Sequence, residues 1–173
     1  MYYITNYTSP VGRLLLASDG DSIVGLWIEG QKYFGGVLKN EIIEAVQKDN
    51  LSVFAIARDW LDRYFVGEKP ATSELPLAPI GSNFRKEVWN ILRNIPYGEC
   101  ITYGNIARTI AAKTGQKTMS AQAVGGAVGH NPISIMIPCH RVVGANGSLT
   151  GYAGGIDKKI KLLEHEGIAP FSL

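Results

Sequence analysis

The residues best equipped for chemistry lie in the stretch NPISIMIPCHRVVGANG, residues 131 to 147, where the thiol of Cys139 is followed at once by the imidazole of His140. A thiol with a free pKa of about 8.5 becomes a useful nucleophile when a base takes its proton, and His140, or a water it holds, supplies that base. Neighbours on an extended strand point in opposite directions, so direct contact between the two requires the chain to turn after Pro138. Glu166 offers a third group. A carboxylate in the last turn of a helix, just before Gly167, opposes the helix dipole by about 0.3–1 kcal/mol, and local rules are often broken at sites. A hydrogen bond from His140 to Glu166 would fix the tautomer and complete a Cys-His-Glu relay; the alternative is an exposed glutamate beside Glu164. Tyr103, in a first helical turn, is either a packing residue or a proton donor to a nearby ligand. His130 and His165 read as structural.

The elements around these residues follow from periodicity and punctuation. Ile133, Ile135 and Ile137 alternate with Ser134 and Met136 as in a short core strand that Pro138 ends, which places Cys139 at a strand's mouth. Toward the start, YYITNYTSP, GRLLLAS and DSIVGLWIEG read as three strands of an antiparallel meander. Helices are expected over 31–48 and 51–66, then a linker with a boundary near residue 80. Beyond it, a helix capped by Ser82 or Asn83 stops at Pro96. Two short helices follow, one from Thr102 to Gly115 and one from Ser120 to Gly129, a spacing that suggests a helix-turn-helix. A last helix runs from Asp157 to Gly167.

The second helix of that pair carries unusually small side chains: Ser120, Ala121, Ala123, Gly125, Gly126 and Ala127. Each glycine costs a helix about 1 kcal/mol against alanine, so the two need a reason, and close approach of the backbone to another surface is the usual one. Either the helix packs tightly in its own protein, or it enters a DNA minor groove only about 6 Å wide, where trimmed side chains are required. The minor groove carries a degenerate code, which suits lesion repair better than gene regulation.

Composition narrows the classes. The 173 residues are 46% hydrophobic with net charge +2, an ordinary packed globular balance. No uncharged apolar run is long enough for a membrane span and no secretory leader is legible, so the cytoplasm is the expected compartment. Two cysteines and three histidines in no ligand-like spacing imply no metal, and Cys100 reads as a small buried apolar residue. Charge is uneven: residues 1–81 hold seven Lys and Arg against ten Asp and Glu, whereas residues 82–173 hold ten against five, so the second half is the one suited to a polyanion.

Taken together, FRKEVWNIL, PYGECITYGNIA, AVGGAVGHNPI, IPCHRVVGANGSLTGYAGG and LLEHEG resemble, in order, the O6-alkylguanine-DNA alkyltransferases, or methylated-DNA:protein-cysteine methyltransferases, with IPCHRV as the active-site motif. The resemblance implies an α+β fold: a small antiparallel-sheet α/β (RNase H-like) domain over 1–80, then a winged-helix-like, helix-turn-helix domain over 81–173 for DNA binding and alkyl acceptance. It implies that Cys139 takes an alkyl group from O6 of guanine once and irreversibly, with no cofactor, acting as a monomer on duplex DNA through the minor groove, largely without regard to sequence. The target base must be flipped out. By resemblance Glu166 orients His140, which draws the Cys139 proton through water, Tyr103 protonates the departing guanine, and Asn131 hinges the helix to the active-site strand. Val142, Tyr152, Ala153 and Gly154 surround the base, with Lys159 near the relay. Ser120, Ala121, Gln122, Ala123, Gly125 and Gly126 face DNA; Lys113 and Lys117 grip phosphate, and Arg141 is structural or a phosphate contact. Gln122 stands where the family commonly has an arginine that replaces the flipped base. Two rival readings exist: a lesion sensor of the alkyltransferase-like kind, which lacks the cysteine present here, and a cysteine hydrolase, for which no oxyanion hole is legible.

Overall fold

The structure is a computed structural model that describes residues 1–168. The chain divides into two compact units, Met1–Ile80 with Pro132–Met136, and Gly81–Asn131 with the residues from Ile137 onward.

In the first unit β1 (Tyr3–Ser9), β2 (Gly12–Ser18) and β3 (Ile23–Ile28) form the antiparallel meander expected from their alternation. Ser9 pairs with Gly12 across the first turn, where the Ser9 hydroxyl accepts from Val11 N at 3.1 Å and donates to Gly12 O at 2.7 Å. No single helix spans 31–48. Glycines 30, 35 and 36 and Tyr33 all have positive φ, which a propagating helix cannot include. The segment instead contains a 3₁₀ turn (Gly36–Leu38), a five-residue α1 (Lys39–Ile43) and β4 (Val46–Gln47), which joins β1 in parallel. The second helix, α2 (Ser52–Phe65), buries Phe54, Ala57, Leu61 and Tyr64.

Every residue of β3 is buried although β3 ends the sheet order β3-β2-β1-β4. Its open edge is covered by two irregular segments: Ile23 N donates to Pro76 O and Ala78 N to Ile23 O, while Leu26 N donates to Pro132 O and Ser134 N to Leu26 O, at 2.7–2.9 Å. This satisfies backbone groups that an edge would leave bare. It also explains why residues 132–136 belong to this unit, and it corrects the strand expected over 133–137. Only Ile133 bridges, to Leu26; Ile135 sits at φ 71°, and the chain proceeds by tight turns, Met136 N to Ser134 O and Cys139 N to Ile137 O, each 2.8 Å. The isoleucines alternate, but the serine and methionine between them are just as buried, so alternation here did not mean one wet face.

In the second unit α3 (Asn83–Arg93) begins where Ser82 Oγ accepts from Arg85 N. Two-residue β5 (Ile101–Thr102) leads into α4 (Tyr103–Thr114), which starts in a reciprocal cap between Thr102 and Asn105 and ends at left-handed Gly115. Ser120 caps α5 (Ala121–Gly129), and Trp89 Nε1 donates to Ala127 O at 2.9 Å, tying α3 to α5. β6 (Val142–Val143) pairs in parallel with β5, and α6 (Ile156–His165) packs Leu163 against Val143 and Leu149. Among the described residues no helix is long and apolar enough to cross a membrane.

Candidate active site

Pro138 introduces a 3₁₀ turn over Cys139–Arg141, closed by Arg141 N donating to Pro138 O at 3.0 Å. The chain therefore does turn after the proline. Three consecutive side chains, Cys139, His140 and Arg141, are carried into the interior of the second unit, with His140 fully buried.

His140 Nε2 donates to Glu166 Oε2 at 2.5 Å, while its Nδ1 is buried with no hydrogen-bond partner among the described residues. Glu166 is the residue on which α6 ends. Its carboxylate collects further donors: Gly98 N at 3.1 Å, Arg141 Nε at 2.7 Å and Arg141 Nη2 at 3.2 Å. Burial works against its ionisation, but the bonds and charges of His140 and Arg141 outweigh that and hold the carboxyl at about 2. The exposed-glutamate alternative is thereby excluded, and the unfavourable place at a helix end is offset by four donors. Gly98 has φ 81°, and a Cβ there would press on Glu166 O at 3.3 Å, so glycine is needed to bring this amide in.

Burial pushes the Cys139 thiol up, offset only in part by hydrogen bonds to Asn131 and Tyr152 and by the charge of Lys159. Burial pushes His140 down against the pull of Glu166. Both directions favour an uncharged thiol beside an uncharged imidazole. Asn131 Nδ2 also donates to Ile137 O at 2.8 Å, fixing the end of α5 to the residues before the cysteine. Lys159, fully buried, donates to Val142 O at 2.6 Å and to Gly151 O and Thr150 O at 3.3 and 3.4 Å; burial pushes its ammonium down. Tyr103 OH donates to the same Thr150 O at 3.1 Å. Lysine and tyrosine thus hold the loop of half-buried Tyr152, Ala153 and Gly154.

One expectation is corrected. Arg141 does not reach a surface phosphate: its guanidinium is buried, engaged with Glu166 and with Ile95 O at 2.6 Å, and lies 5.7 Å from the Tyr97 ring centre. Sequence reasoning missed Gly98 and the Arg141–Glu166 pair; the only signal was an arginine adjoining a Cys-His pair, whose partner lies 25 residues away.

On α5, Ser120, Ala121, Gln122, Ala123 and Gly126 are exposed. A Cβ on Gly126 would meet nothing within 4 Å, and one on Gly125 would make ordinary contact with Tyr103 at 3.9 Å. Packing among the described residues therefore requires neither glycine. Lys113 and Lys117 are exposed, and Lys113 pairs with Glu87 at 2.9 Å.

A buried thiol next to a buried imidazole–carboxylate pair, in the same unit as a helix-turn-helix pair whose second helix exposes small side chains, defines a class: a protein equipped for thiol chemistry in a unit of the nucleic-acid-binding type. Comparison with known proteins narrows this. Residues 1–79 match the ribonuclease-like domain of 6-O-methylguanine DNA methyltransferase and residues 83–168 match its DNA binding domain. The chain is 44% identical to the methylated-DNA–protein-cysteine methyltransferase of Haemophilus influenzae, covering 96% of this chain and 87% of that one, and 44% identical to that of Methanosarcina acetivorans, covering 96% and 99%. The crystal structure of Mycobacterium tuberculosis OGT in complex with DNA superposes with a TM-score of 0.79 at 40% identity, covering 95% of this chain and 91% of that one. The chain belongs to the methylated-DNA–protein-cysteine methyltransferase family, whose members repair O6-alkylguanine by transferring the alkyl group to a cysteine.

Proposed function

We propose that Cys139 is the acceptor, and that residues 81–173 bind duplex DNA through the minor groove and carry out the transfer while residues 1–80 support them. The observation that carries this reading is the buried His140, tied at Nε2 to Glu166 at 2.5 Å and open at Nδ1, next to the only thiol on its 3₁₀ turn. The exposed small-residue face of α5 enters the groove, and Gln122 fills the space of the extruded base. The base lies between Val142, Tyr152, Ala153 and Gly154, with Lys159 holding their loop.

The thiol proton passes through one water to Nδ1 of His140, whose Nε2–H stays bonded to Glu166, and the imidazolium that forms is balanced by the thiolate left on Cys139. Sulfur bonds to the alkyl carbon as the C–O6 bond breaks, its electron pair going to guanine, which takes a proton from Tyr103; the His140 proton returns to the tyrosinate through solvent. The thioether is inert, so each molecule acts once, as a monomer without a cofactor and without sequence preference. Intact mass and peptide mapping after mixing with excess duplex containing O6-methylguanine test this. One methylene-sized increment on Cys139, absent in Cys139→Ser, is expected; lesion binding with no mass change would make the protein a damage sensor instead.

A further inference from the structure

Glu166 accepts hydrogen bonds from two basic side chains, Arg141 and His140. Arg141 contacts both carboxylate oxygens, through Nε to Oε1 and Nη2 to Oε2, while His140 Nε2 donates to Oε2 as well. The three side chains are buried together. With Arg141 charged, Glu166 ionised and His140 neutral, the cluster carries no net charge; adding a proton to His140 would leave one buried positive charge without a counter-ion, which is costly. Without Arg141 the count reverses, since an imidazole alone with a buried carboxylate forms a neutral ion pair by becoming charged.

We propose that Arg141 is a positioning residue for the transfer: by sharing Glu166 it keeps His140 uncharged at rest, with its proton on Nε2 and Nδ1 open to take the proton of Cys139. This rests on the relay reading given above. Among the described residues the Arg141 side chain bonds Glu166 and Ile95 O and not Cys139 or His140, so it acts through the carboxylate. Its own geometry is fixed by Ile95 O at 2.6 Å and by the Tyr97 ring. The other groups facing this cluster act in the same sense or are uncharged. From α6, Lys159 adds a second positive charge that disfavours the imidazolium. From the segment before β5 come Tyr97 and Cys100, both pushed up, by burial first, toward their neutral forms, and from the turn itself comes Cys139.

The native protein is tested first. With ¹⁵N-labelled histidine, His140 at pH 7 is expected to show one protonated and one bare ring nitrogen; an imidazolium at that pH overturns the proposal. Arg141→Gln is then expected to raise the His140 midpoint, and with it the acidic limb of the single-turnover transfer rate at saturating methylated duplex, by at least one pH unit, with rate regained at higher pH. Arg141→Lys, whose ammonium meets one carboxylate oxygen, should move both the same way by less, and it serves if the glutamine variant does not fold. A folded variant that transfers slowly with both midpoints unmoved would make Arg141 a packing residue and overturn the proposal. Failure of the relay itself shows separately, as a His140→Asn variant that alkylates Cys139 at the native rate.

Discussion

At the scale of single residues, the centre is a carboxylate that must stay ionised inside the protein. Glu166 is held at about 2, below its ordinary 4.5, so it contributes stability that is fully present above pH 4.5 and is lost as pH falls toward 2. Urea unfolding at a series of pH values should show this loss, and Glu166→Gln should flatten it. The same variant strands Arg141 without its counter-charge and should destabilise the fold at pH 7 by about 3–5 kcal/mol; a variant as stable as the native protein would mean that water reaches the pair. Gln122 is the second residue to alter. A glutamine is able to fill the space of an extruded base and hydrogen-bond an orphaned pyrimidine, but it brings no charge and a shorter reach than arginine. Gln122→Arg should therefore transfer faster in single-turnover mass spectrometry, and an unchanged or slower rate would remove glutamine as the limiting feature.

At the scale of elements, α5 separates two kinds of selection. Because a Cβ on Gly126 meets nothing, Gly126→Ala should stabilise the helix by about 1 kcal/mol in denaturant unfolding, yet weaken binding to duplex DNA by adding a methyl group to the approaching surface. If binding is unchanged, the groove does not press on this turn. The caps of α3, α4 and α5 were legible because Ser82, Thr102 and Ser120 act locally, on amides three residues ahead. The segment over 132–136 was not, because it is laid along the edge of β3, more than a hundred residues earlier, rather than arranged by its own alternation. Likewise Cys139, His140 and Glu166 could be picked out by type and position, whereas the donors Gly98 and Arg141 could not. Which carboxylate a buried arginine meets is decided by packing, not spacing.

At the scale of the whole molecule, charge is distributed with a purpose that the net +2 conceals: residues 82–173 hold ten Lys and Arg against five Asp and Glu. Three of those ten are spoken for or weakened as DNA contacts. Arg141 and Lys159 are buried, and Lys113 is already paired with Glu87 across α3 and α4. Lys117, exposed in the loop between α4 and α5, has no ion-pair partner among the described residues. Each phosphate contact releases condensed counterions and contributes about 0.9 to the slope of log affinity against log salt. Replacing both Lys113 and Lys117 by glutamine should therefore lower that slope, with Lys117→Gln supplying most of the change, because Lys113 must first surrender Glu87. Restoring Lys113's freedom with Glu87→Gln should steepen the slope instead. Binding titrations of unmodified duplex over a range of salt concentrations measure both, and slopes that stay with the native value in all three variants would place the phosphate contacts elsewhere on the second unit.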